Sequence, residues 1–83
     1  MTPAARYAAA IEVLDRIIAG EPAERVLTNW ARGNRFAGSK DRAAIRDHVF
    51  DGLRRRRSFA ALGGGDTGRG VILGALRAAG VPP

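Results

Sequence analysis

The chain has 83 residues, no cysteine and one histidine, His48, which excludes disulfides, thiolate metal centres and a histidine-built zinc site. Its 14 basic residues against 8 acids leave a net charge of +6. Lys40 is the one lysine and the other 13 basic residues are arginines, whose planar forks suit phosphate. This length allows one domain, and its aliphatic and alanine-rich core is marginal. The chain is therefore expected to be part of something larger, or to have a partner. No apolar run reaches transmembrane length, and Glu12 and Asp15 interrupt the only apolar stretch that could serve as a secretory leader. A soluble, cytoplasmic protein with no membrane partner is expected.

Helical periodicity recurs and strand alternation is absent. Thr2 is suited to cap a first helix and Pro3 to open it. Tyr7, Ala10, Ile11, Leu14, Ile17 and Ile18 fall on one face, and Gly20 ends the helix. A short second helix has Pro22 in its first turn, an apolar stripe of Ala23, Val26, Leu27 and Trp30, and a stop at Gly33. The loop Asn34–Gly38 follows. Ser39 is predicted to cap a third helix, with Asp41 in its first turn. Ile45, Val49, Gly52 and Leu53 share a face there. Continuing that helix would put Arg56 in the middle of the face, where an unpaired charge is costly. The helix is therefore predicted to break near Arg57, with Ser58 capping a short turn through Phe59 and Leu62; the alternative is one long helix whose Arg56 snorkels outward. Gly63–Gly65 reads as a flexible connector. Asp66 or Thr67 caps a fourth main helix bearing Ile72, Leu73 and Leu76, weakened by Gly68, Gly70 and Gly74. Gly80, Pro82 and Pro83 close the chain.

The charge is concentrated. Met1–Arg32 holds four arginines and four acids and is neutral, whereas Gly33–Leu62 holds eight basic residues and three acids, a net +5. Arg35, Lys40, Arg42, Arg46, Arg54, Arg55, Arg56 and Arg57 are therefore the candidate phosphate contacts. Arg54–Arg57 is the sharpest motif. On an unbroken helix its members would point around most of the circumference, but at a helix end they can fan outward. Phe36 has two readings, a platform for an unpaired base or a side chain folded onto the core. Trp30 reads as core. Gly63, Gly65 and Gly68 match Gly-x-Gly-x-x-Gly, but that pattern needs a preceding strand, so no dinucleotide site is expected. Asp41-Arg42 reads as a structural ion pair or cap and His48 as a half-buried helix residue. No catalytic residue, cofactor site or metal site is expected in this chain.

The run from Lys40 through Asp41-Arg42 to Phe50, Gly52, Leu53 and Arg54–Arg56 resembles the central helix of the NusB-like domain. Tyr7–Leu14 resembles that domain's first helix. More narrowly, the chain is similar to the N-terminal segment of the RsmB/NOP2/Sun class of ribosomal RNA cytosine-5 methyltransferases. In one departure, the family often places glycine directly after the aromatic, where this chain has Asp51 and then Gly52.

The resemblance implies an all-α, NusB-like bundle of four main helices over residues 1–83, an incomplete domain that binds and positions ribosomal RNA. Methyltransferase activity and its S-adenosylmethionine cofactor would then belong to a catalytic domain absent from this chain. The implied partners are RNA, a downstream methyltransferase domain, or a second copy across exposed apolar surface. Two rival readings are a free-standing NusB-type antitermination factor and a helical protein-docking module without an RNA role.

Overall fold

The computed structural model describes Met1–Val81, and among these residues it is all-helical. Its elements are α1 (Pro3–Ile18), α2 (Ala23–Gly33), α3 (Ser39–Arg54), α4 (Arg56–Gly63) and α5 (Gly68–Ala78). Five helices thus replace the expected four, because the short turn after the third helix is a helix in its own right. The expected proline stop at Pro82 and Pro83 lies outside the described residues.

The start and stop of α1 follow the sequence signals. Thr2 Oγ1 accepts from the Ala5 N–H at 3.1 Å and Pro3 is the first helical residue. At the other end Gly20 has a φ of +113°, a left-handed conformation that suits glycine. The Gly20 and Glu21 N–H groups donate back to the Ile17 and Arg16 carbonyls, satisfying the last turn. The buried face of α1 is Ala9, Ala10, Val13 and Leu14, with Tyr7, Ile11 and Ile17 packed around it. That centre is rotated from the expected stripe, because α1 touches α2, α3 and α5 at once.

Two predicted helix starts shift by one residue, and one of the two caps expected for α5 is selected. Pro22 lies just outside α2, at its N-cap. Ser39 is the first residue of α3, and Gly38 precedes it as the cap. Asp41 supplies the acceptor, taking the Gly38 N–H at 3.2 Å on Oδ2. Asp66 does not cap α5; Thr67 does, accepting from Gly70 at 3.0 Å.

The helix break falls at Arg55, two residues before the predicted position, and Ser58 lies inside α4. The physical reason is visible in Arg56. Starting α4 at Arg56 turns that side chain toward Asp66, with Nε and Nη2 each 2.7 Å from a carboxylate oxygen. The break also buries Phe59, which joins Leu14, Val26, Ile45, Val49 and Val71 in the core.

The connector after α4 is a packed turn, and not the flexible segment expected. Gly64, at φ +90°, ends α4, and the Gly64 and Gly65 N–H groups both donate to the Ala60 carbonyl. α4 and α5 then pack backbone against backbone. A Cβ at Gly63, Gly70 or Gly74 would overlap a carbonyl of the facing segment. These glycines lower the intrinsic helicity of α5, and they also permit its packing. α1 fixes the start of α5, where Asp15 Oδ1 accepts from the buried Gly68 N–H at 2.7 Å.

Candidate nucleic-acid interface

All the basic candidates are exposed except Arg56, which is half-buried. They fall into two groups at opposite ends of α3, a helix of 16 residues and so about 24 Å long. Arg35, Lys40 and Arg42 stand at the α2–α3 loop and the start of α3. Arg54–Arg57 stand at the elbow between α3 and α4. Arg46 lies between the groups.

Two candidates carry little free charge. Arg46 donates to both oxygens of Glu24 on α2, at 3.1 and 2.6 Å, and its guanidinium lies 4.9 Å over the Phe50 ring. Arg56 is engaged equally fully by Asp66. In both pairs the hydrogen-bonded arginine holds the carboxyl below its ordinary pKa, and the carboxylate raises that of the arginine. Arg54 is only loosely paired, 3.9 Å from Asp51. Arg55 stacks 4.9 Å over Phe59 without an acid partner. Among the described residues Arg35, Lys40, Arg42 and Arg57 also have no acid partner.

The elbow changes what the arginine run can do. Because the chain turns at Arg55, all four arginines line one shallow hollow of about 350 Å³ together with Leu53 and Ser58. An unbroken helix would have spread them around its circumference. The end of α3 adds partial negative charge that steadies Arg54, while the first turn of α4 adds partial positive charge. No side chain caps α4, so its first N–H groups add to the positive field of the hollow.

The α2–α3 loop is held firmly. Asn34 Nδ2 donates to the Trp30 carbonyl at 2.8 Å, and the Ala37 N–H donates to the Asn34 carbonyl at 3.0 Å. Trp30 is buried, as expected, at 7% exposure. Phe36 does not fold onto the core. It is 74% exposed, while the neighbouring Ala37 is 2% exposed and takes the core position.

Asp41 is structural, as its sequence position suggested, but its partner is not Arg42. Its carboxylate binds Arg6 Nη2 at 2.8 Å and the amino terminus at 3.4 Å. The hydrogen-bonded Arg6 holds Asp41 below its ordinary pKa. Arg42 is thereby left free on the exposed surface. His48 is half-buried against Tyr7, with ring centroids 4.6 Å apart. Burial lowers its pKa, so the ring is neutral near pH 7. No group of histidine, cysteine, aspartate or glutamate able to hold a metal ion occurs among the described residues.

Sequence reasoning missed Arg25 and Arg32. Both are exposed on one side of α2, seven residues apart, with no acid partner among the described residues. Summing charge over Met1–Arg32 hid them, because Glu21 pairs with Arg16 and Glu24 is taken by Arg46. The signal was their helical spacing, which sets them on one face of α2.

A groove of about 260 Å³ runs between α2 and α3, floored by Leu27, Trp30, Ala31 and Ile45 and rimmed by Arg42 and the Glu24–Arg46 pair. α2 packs on α1, and the Glu24–Arg46 pair ties it to α3 across this groove. No helix of the described residues is long and apolar enough to cross a membrane. No family model, curated protein or solved structure matches the chain.

Proposed function

We propose that this chain is an RNA-binding module of NusB-like type that positions ribosomal RNA, as the N-terminal segment of a cytosine-5 methyltransferase would. The supporting observation is the uneven fate of the charges. Glu21, Glu24, Asp41 and Asp66 are engaged with arginines. Of the cations without an acid partner among the described residues, Arg35, Lys40, Arg42, Arg55 and Arg57 stand at the two ends of α3, while Arg25, Arg32, Arg69 and Arg77 lie on α2 and α5. Electrostatic capture by several phosphates needs such a surplus, with guanidinium forks providing charge-assisted hydrogen bonds. S-adenosylmethionine chemistry belongs, on this reading, to a separate catalytic domain. A free-standing NusB-type antitermination factor would use the same surface.

The test uses fluorescence anisotropy with a labelled ribosomal RNA hairpin. Joint replacement of Lys40, Arg55 and Arg57 by glutamine should weaken binding more than tenfold with the circular dichroism spectrum unchanged. Unchanged affinity would remove the reading.

The α2–α3 groove favours a second reading, a protein-docking module with no RNA role. Its apolar floor, with Arg42 free on the rim, suits an amphipathic helix that offers an acid to Arg42. On that reading the same triple variant leaves RNA affinity unaltered.

A further inference from the structure

The cations explain attraction to any polyanion, but they do not explain Phe36. A phenylalanine that is 74% exposed keeps a large apolar surface in water, and it is the most exposed of the large hydrophobic residues. The other members of that group, Met1, Leu62 and Val81, lie at a chain end or near a helix end. Phe36 instead sits in an internal loop pinned at both ends. Asn34 ties the loop to the end of α2, and Asp41 ties Gly38 to the start of α3. Between them Ala37 fills the core position and turns its neighbour outward. The loop is thus fixed with the ring on the surface before any ligand arrives, which lowers the ordering cost of binding. Its chain neighbours Arg35, Lys40 and Arg42 are exposed cations without acid partners among the described residues.

A rigid exposed ring flanked by free cations has the composition of a single-strand reader: the ring offers a face for a base, and the cations track the backbone. A duplex offers no unpaired base face at its side. We propose that Phe36 is a stacking platform for an unpaired base, so that this end of α3 takes single-stranded or loop RNA and the elbow arginines hold the flanking backbone. The inference rests on the RNA-binding reading above and adds the class of RNA.

Three RNAs should be compared by fluorescence anisotropy: a short unpaired strand, a blunt duplex of the same length, and the strand with 2-aminopurine in place of one adenine. The wild-type chain should prefer the strand over the duplex and should quench the 2-aminopurine. Phe36→Ala should weaken strand binding about 5- to 150-fold, abolish the quenching and leave duplex binding unchanged. Phe36→Tyr should keep both the affinity and the quenching. Thermal unfolding of Phe36→Ala should match the wild type, because the ring is not in the core.

Binding that persists in Phe36→Ala with equal affinity and no quenching in the wild type overturns the platform but leaves RNA capture standing. Absence of RNA binding by the folded wild type overturns both. A Phe36→Ala change that instead abolishes self-association in sedimentation, with RNA affinity intact, would make the ring a contact between copies and overturn the platform.

Discussion

Gly74 of α5 lies so close to the backbone of Phe59 in α4 that a Cβ at position 74 would overlap the Phe59 carbonyl oxygen. Backbone cannot move aside as a flexible side chain can. Gly74→Ala is therefore expected to destabilise the chain by about 3 kcal/mol, through forced separation of two helices. Gly33→Ala is the control, since nothing lies within 4 Å of a Cβ there. It should be neutral, or stabilising by up to about 1 kcal/mol through better helix propensity. Urea unfolding followed by circular dichroism measures both. A Gly74→Ala chain as stable as the wild type would contradict the close approach of α4 and α5.

The Asp15–Gly68 hydrogen bond makes a second prediction. Gly68 is buried, and its N–H has Asp15 Oδ1 as acceptor at 2.7 Å. Asp15→Ala leaves that donor unsatisfied and should cost about 1–3 kcal/mol. Asp15→Asn keeps an acceptor oxygen and should recover most of the loss. Equal stability of the alanine and asparagine variants would show that the bond does not anchor α5.

Stability should fall in two stages on acidification. Burial favours the neutral His48 ring, so its folded value lies below 6.5. Its contribution is complete above that pH and is lost as pH falls through the folded value. Asp47 and Asp51 oppose the shift and Arg6 reinforces it. The second stage belongs to Glu21, Glu24, Asp41 and Asp66, all held low by arginines. Their contribution is present above the ordinary carboxyl range and is lost as pH falls through their depressed folded values. His48→Phe, which keeps a ring against Tyr7, should remove the first stage and spare the second. Melting temperatures across pH would show this, and a first stage surviving in His48→Phe would assign it elsewhere.

Arg56 and Arg57 are neighbours with different expected roles. Arg57 has no acid partner among the described residues, whereas both forks of Arg56 are on Asp66. Arg57→Gln should reduce the magnitude of the salt slope of RNA binding by about 0.7, the contribution of one single-stranded phosphate. Arg56→Gln should leave the slope nearly unchanged and slightly lower the melting temperature at low salt. Equal slope changes for the two variants would mean that RNA displaces Asp66.

The helices were legible where the signal is local. Thr2-Pro3 and Gly20 bound α1 because caps act within a few residues, and Val26 and Trp30 mark the buried side of α2 by spacing alone. The break after α3 was legible in kind but misplaced, because the residue that positions it, Asp66, lies ten places beyond Arg56 and no local pattern links them. The glycines of α5 read as a weakness. Their use depends on how near α4 passes, which is a tertiary fact. Phe36 and Ala37 show the same limit, since either could have filled the loop's core position, and the turn in which the Ala37 N–H donates to the Asn34 carbonyl accompanies the burial of Ala37. The basic candidates were found from charge density, but which of them are free depended on Glu24, Asp41 and Asp66 reaching across helices. The neutral sum over Met1–Arg32 concealed Arg25 and Arg32 for the same reason.

The most direct test of the central claim is fluorescence anisotropy of the wild-type chain with labelled ribosomal RNA hairpins, titrated at several salt concentrations. Engagement of about four phosphates in a single-stranded loop predicts a slope near −3 in log affinity against log salt, at about −0.7 per phosphate, with tighter binding to some hairpins than to random RNA. A folded chain that binds no hairpin at low salt would contradict RNA capture by this surface and leave the α2–α3 groove as its functional feature.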